Sequence, residues 1–330
     1  MLPFFRLVSC LCLVGIPASS ARANTSSVGC QHLTTPSGLE LGIWYPSQGN
    51  SRRQDLGPYE QTCIPDGPVR GQNRALIVFS HGTGGSWTSH LDTAAALVHE
   101  GYVVVAMTEP GDNWRDQSRV TDLVGRTRAL SATLDYMLSL WPGRTQLDST
   151  RIGAFGFSAG GLTVLLALGA KPDFARIASW CQAQPHSFTC ALLAHRQKPL
   201  DTALPDLTDR RLKAAVIAAP ALGFTMSREA LASVRIPVQL WQAQNDRILP
   251  SPGSVEPVRD GLDQRPETHL VPLAGHFDFL APCRSGFETL SICQSDRAFD
   301  RAGFHAGFNA ALGRFFDDTL RPRPRSDTPR

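Results

Sequence analysis

From about residue 38 onward, short continuous apolar runs alternate with longer stretches in which apolar residues recur every three or four positions. The β-branched runs at 75–79 and 102–106 predict strands covered on both faces, as in the middle of a parallel sheet. Helical periodicity at 89–100 and 123–140 supplies that cover. Further strands are predicted at 39–45, 152–155, 214–218, 238–241 and 268–273, and further helices at 162–168 and 297–320. In the last of these, Phe304, Phe308, Leu312 and Phe315 or Phe316 fall at helical spacing, a stripe for core packing rather than for a cofactor. Such alternation predicts an α/β fold with a mostly parallel central sheet and helices on both faces. Residues 46–71, rich in Gly, Pro and Gln, are expected to form a long loop. The stretch of about 40 residues at 172–212 is too long for a simple strand–helix connection, so a small cap insertion is expected there. No internal repeat is found.

Composition narrows the class. With 330 residues, 42% of them hydrophobic and 18% charged, the chain fits one large domain, expected at 24–320, and not a disordered or fibrous protein. Residues 1–23 read as a secretory signal: Arg6 leads, 7–16 is apolar, and Ala21-Arg22-Ala23 places small residues before a cut after Ala23. No later run reaches the roughly 20 apolar residues of a transmembrane helix, so no stable membrane insertion is expected. Cys10 and Cys12 would leave with the signal. Cys30, Cys63, Cys181, Cys190, Cys283 and Cys293 would remain, an even number in an oxidising compartment. Of the connectivities open to six cysteines, the favoured one joins sequence neighbours (30 with 63, 181 with 190, 283 with 293), because each pair closes one local loop. None lies in a short Cys-x-x-Cys pair, which argues against a zinc site. The net charge of +3 falls to +1 without Arg6 and Arg22, and the tail 321–330 carries four Arg against one Asp, leaving the body near −2. A nucleic-acid-binding face is therefore not expected. That Arg/Pro tail reads as a disordered end.

Candidate chemistry centres on Gly156-Phe157-Ser158-Ala159-Gly160, which follows a predicted strand and opens a predicted helix. A serine hydroxyl becomes a nucleophile when it is held exposed on a tight turn, next to a base and to donors for the developing oxyanion. Small residues two before and two after it let that turn close. Upstream, Ser80-His81-Gly82-Thr83-Gly84-Gly85 follows another strand, and the backbone N–H groups of Thr83 and Ala159 are the expected oxyanion donors. The loop lacks the Gly-Lys-Ser/Thr ending of a nucleotide-phosphate cradle. An acid and then a histidine should follow the serine. Asp246 lies just after the strand at 238–241, whereas the strand at 214–218 ends in Ala219-Pro220-Ala221 with no acid. His276, after the last strand and behind the small residues Ala274 and Gly275, is the expected base, with Asp278 a lesser candidate acid. His269 falls within a strand and His305 on the terminal helix.

These three segments, 80–85, 156–160 and 274–280, resemble the α/β-hydrolase superfamily, and within it the dienelactone-hydrolase-like and platelet-activating-factor-acetylhydrolase-like serine esterases. The resemblance spans roughly residues 38–320 and implies an α/β-hydrolase fold, hydrolysis of carboxylic esters, and no metal or organic cofactor; the expected substrate is a small-molecule ester, small overall or short in its acyl group. Two positions depart from it. Dienelactone hydrolases carry a cysteine where this chain has Ser158, and the acetylhydrolases place their acid after the strand that here ends in Ala219-Pro220. Acyl transfer or amide cleavage would use the same three residues, and a non-catalytic binding module could share the fold. Substrate choice is expected to rest on the cap and on the loop at 109–114, with Trp87, Trp114, Trp180 and Phe188 hinting at an apolar pocket.

Overall fold

The computed structural model describes residues 27–195 and 199–321. The signal expected at 1–23, and the tail beyond Arg321, lie outside the described residues. Ten strands form one sheet: β1 (Ser27–Thr34), β2 (Glu40–Ser47), β3 (Arg52–Leu56), β4 (Tyr59–Pro65), β5 (Arg74–Ser80), β6 (Val103–Thr108), β7 (Leu147–Phe157), β8 (Leu212–Ala218), β9 (Val238–Ala243) and β10 (Glu267–Val271). Their order is β10-β9-β8-β7-β5-β6-β2-β1-β4-β3. The six strands from β5 to β10 pair in parallel, while β2 runs antiparallel to β6 and to β1. Seven helices accompany them among the described residues: α1 (Leu91–His99), α2 (Leu123–Ser139), α3 (Ala159–Ala167), α4 (Arg176–Ala183), α5 (Phe188–His195), α6 (Val255–Gly261) and α7 (Arg301–Leu320). No described helix is long and apolar enough to cross a membrane.

Alternation along β5 separates two cores. Leu76 and Val78 pack with Leu130 and Leu134 of α2 and Leu162 and Leu165 of α3, whereas Ile77 and Phe79 pack with Leu97 of α1 and Phe308 and Phe316 of α7. The chain leaves β5 through α1 to reach β6 on one side, then returns through α2 to β7 on the other side of β5. As a result the segments after β5 and β7 depart to opposite faces and open a crevice at the carboxyl ends of these two strands. In parallel sheets this switch point is where ligands bind.

The sheet is larger at one edge than the sequence pattern predicts. The loop expected at 46–71 contains the hairpin β3–β4, and β1 precedes it unanticipated. The reason is compositional: β3 reads Arg-Arg-Gln-Asp-Leu, an edge strand with no buried residue and hence no apolar alternation. Cys30–Cys63 joins β1 to β4, whose Tyr59 and Cys63 belong to the core beneath the hairpin. Cys181–Cys190 and Cys283–Cys293 also form, so the pairing is between sequence neighbours throughout. The last helix starts at Arg301 rather than 297, because the Asp300 carboxylate caps it by accepting from the Gly303 N–H at 2.9 Å. In the expected cap region, α4 and α5 are stapled by Cys181–Cys190, and Trp180 stacks on Phe224 with ring centroids 4.4 Å apart.

Candidate active site

Ser158 occupies the single residue between β7 and α3, with φ 55° and ψ −118°, a backbone conformation that costs a non-glycine residue roughly 1–3 kcal/mol. Its surroundings hold it there. The Ser158 N–H donates to the Ala218 carbonyl at 3.0 Å, and its own carbonyl accepts from Ala221 at 2.9 Å and Leu162 at 3.2 Å. The glycines flanking it are sterically required: a Cβ on Gly156 would sit 2.3 Å from the Gly160 oxygen, and one on Gly160 would sit 1.9 Å from the Ser80 oxygen. The sequence pattern of small residues thus translates into the close approach of β5, β7 and α3.

Asp246 lies on the loop leaving β9. One carboxylate oxygen accepts from the N–H groups of Ile248 (2.9 Å) and Leu249 (2.7 Å), which aims the other at His276 Nδ1, 2.7 Å away. His276 Nε2 is 3.0 Å from Ser158 Oγ. Because an ionised carboxylate only accepts, Nδ1 carries the hydrogen, and Nε2 is left to accept from the serine hydroxyl. All three residues are buried, and the imidazole packs on Phe157 with centroids 4.7 Å apart. Asp278 is not on the histidine. It accepts from the Gly275 N–H at 2.7 Å and from Ser295, and so shapes the turn that presents His276. The other two histidines considered lie elsewhere: His269 stacks on Trp241, and His305 bonds Asp92.

A Cβ on Gly82 would fall 3.1 Å from the Ser158 Cβ, so the 82–85 loop reaches the serine. Among the described residues neither the Thr83 nor the Ala159 backbone N–H has a protein acceptor. Asp112 holds the loop in shape, accepting from the Gly84 N–H at 3.1 Å and from the Thr83 hydroxyl at 3.3 Å. Asp112 is in turn paired with Arg126 at 2.6 Å, fully buried on α2. The same guanidinium donates to the His81 carbonyl and to Thr163 of α3 at 3.1 Å, and lies 3.3 Å from Glu109, which also accepts from Ser80 at 2.6 Å. Burial pushes the Glu109 carboxyl above its ordinary range, against the pull of Arg126. This buried cluster is absent from the sequence-based expectations. Its one signal was an arginine in the apolar stripe of α2, with Leu123, Leu130, Leu134 and Met137.

Compared with protein-family models and with curated proteins, the chain matches none. Among the described residues, no group of three or more His, Cys, Asp or Glu side chains is placed to hold a metal ion.

Behind the site, His90 donates from Nδ1 to the Phe279 carbonyl at 3.0 Å, while its buried Nε2, against Phe155 and Phe157, has no partner among the described residues. Burial pushes its pKa down to about 3. His81 moves the same way, first from burial and then from Arg126. A histidine whose folded pKa lies below its unfolded value of about 6.5 binds fewer protons folded than unfolded, so its contribution to stability is lost as pH falls below that value. Between pH 7 and 5, His90 alone is expected to cost about 2 kcal/mol of unfolding free energy. Urea unfolding at both pH values checks this: His90→Gln should show the shallower pH dependence, and an identical slope in the two proteins would contradict it.

Proposed function

We propose that this chain is a serine hydrolase of the α/β-hydrolase type that cleaves carboxylic esters through an acyl-enzyme. One observation carries this: the unbroken hydrogen-bonded series Ser158–His276–Asp246, with the serine held at positive φ on a strand-to-helix turn. Further support comes from the chain order Ser, Asp, His and from the backbone N–H groups of Ala159, next to the serine, and Thr83, on the loop that reaches it, neither of which has a protein acceptor among the described residues. In this mechanism Ser158 Oγ attacks the ester carbonyl carbon as its proton passes to His276 Nε2. The oxyanion is stabilised by the Thr83 and Ala159 N–H groups, the latter at the positive end of α3. Collapse of the tetrahedral intermediate breaks the bond to the alkoxy oxygen, which takes the proton from Nε2 and leaves as the alcohol. Water then attacks the acyl carbonyl as its proton passes to His276 Nε2, and collapse breaks the bond to Ser158 Oγ, which takes that proton back as the carboxylic acid leaves. Asp246 fixes the imidazole tautomer and steadies the imidazolium in both halves. Three disulfides support function in an oxidising, extracytoplasmic compartment.

Turnover of p-nitrophenyl acetate tests the proposal. A burst of nitrophenol close to one per protein molecule, or steady turnover saturating with substrate, is expected. Rates no higher than those of an equal concentration of free imidazole would overturn it.

A further inference from the structure

A cavity of about 440 Å³ opens next to the 82–85 loop that reaches the serine. On the site side it is lined by Gly82 and Thr83, by Phe157 next to Ser158, and by Phe277 next to His276. Trp87 lines it too. Its outer wall comes from two segments far apart in sequence: the hairpin tip with Leu56 and Tyr59, and the 281–296 segment with Leu290 and Ile292. Neither segment has a regular core of its own. The hairpin is tied down by Cys30–Cys63 and the other segment by Cys283–Cys293. Arg284 then clamps one to the other, its backbone N–H donating to the Pro58 carbonyl at 2.9 Å and its Nε to the Gly57 carbonyl at 2.8 Å. The charged residues of the lining, Glu40 and Arg115, pair with each other, and Glu40 also bonds His32. Apart from the Ser and Thr residues at 83, 86, 88 and 89, the wall presents aromatic and aliphatic surface, and its two charged residues are paired.

An acetyl or methyl group fills little of such a volume, which falls within the range of pockets that hold whole small molecules. We infer that the ester cleaved here carries a bulky, neutral, apolar group seated in this cavity, and that the two disulfide-tethered segments, through Leu56 and Leu290, set the specificity. The inference rests on the esterase proposal above and names the substrate class of that site. A charged headgroup would be desolvated against Leu56, Tyr59, Trp87 and Leu290 with no counter-charge free to receive it, so a neutral group is selected.

Steady-state kinetics on the full, oxidised protein test this with esters of similar intrinsic reactivity: ethyl acetate, 2-naphthylmethyl acetate and methyl 2-naphthylacetate. At least one naphthyl ester should show kcat/KM roughly 100-fold above ethyl acetate, as expected from burying a two-ring group, and comparing the two shows which side of the ester enters the cavity. Leu290→Asp, at an exposed rim position, should remove at least about 10-fold of that preference, lowering kcat/KM for the favoured naphthyl ester more than for ethyl acetate. The paired change Cys283→Ser with Cys293→Ser should do the same by releasing the wall. If ethyl acetate is cleaved as well as both naphthyl esters, or Leu290→Asp lowers all three equally, the inference is wrong and the esterase proposal stands. If no ester is cleaved, both fall.

Discussion

Replacing Ser158 by alanine is expected to lower ester hydrolysis by at least about 10⁴-fold, and His276→Ala by a similar factor, because nucleophile and base act as one unit. The double variant should be scarcely slower than either single one, since neither group can perform its step alone. Asp246→Asn keeps the shape of the site but presents an amide to Nδ1, whose hydrogen-bond preference disturbs the tautomer that leaves Nε2 free to accept. A loss of roughly 10⁴-fold in kcat is expected there too. Ser158→Ala and Asp246→Asn, which keep the shape of the site, should unfold within about 1 kcal/mol of the wild type or become more stable. Rates within tenfold of wild type for any of the three single variants would place the reaction elsewhere.

The second large effect concerns stability. Arg126→Met should destabilise the fold by about 3–5 kcal/mol, because it leaves Asp112 buried without its counter-charge and the His81 carbonyl without its donor. Activity should fall as well, by about 10²-fold, as the Thr83–Gly84 backbone loses the Asp112 anchor that shapes it. Adding Asp112→Asn to Arg126→Met removes the uncompensated charge and should restore part of the stability, which a thermal-unfolding double-mutant cycle would read. Additive losses in that cycle would show that the pair is not coupled as the geometry requires.

Much of the site was legible in the sequence because its residues obey local rules. Ser158 needs small neighbours at 156 and 160, and both glycines stand in the sequence; the fold supplies the reason, the 1.9 Å that would separate a Cβ on Gly160 from the Ser80 oxygen. Asp246 and His276 each follow a strand, so the strand pattern alone places both at one sheet edge with Ser158. The positions invisible in the sequence are those held by long-range or covalent ties. Arg126, Asp112 and Glu109 meet only because α2 crosses behind two loops, and β3 carries no apolar pattern because a disulfide and edge pairing hold its hairpin. The cavity wall is illegible for the same reason: Leu56 and Leu290 become neighbours through Arg284 and two disulfides, not through any periodicity. Of the four aromatic residues that hinted at a pocket, Trp87 and Trp114 line the cavity, whereas Trp180 packs on Phe224 and Phe188 is exposed.

Reaction with a fluorophosphonate probe, followed by mass mapping of the adduct, reads out whether Ser158 is a nucleophile activated by His276. One phosphonyl group on the peptide containing Ser158 is predicted, formed slowly or not at all in His276→Ala and absent in Ser158→Ala. An unlabelled wild-type protein, or equal labelling of the Ser158→Ala variant, would contradict the account.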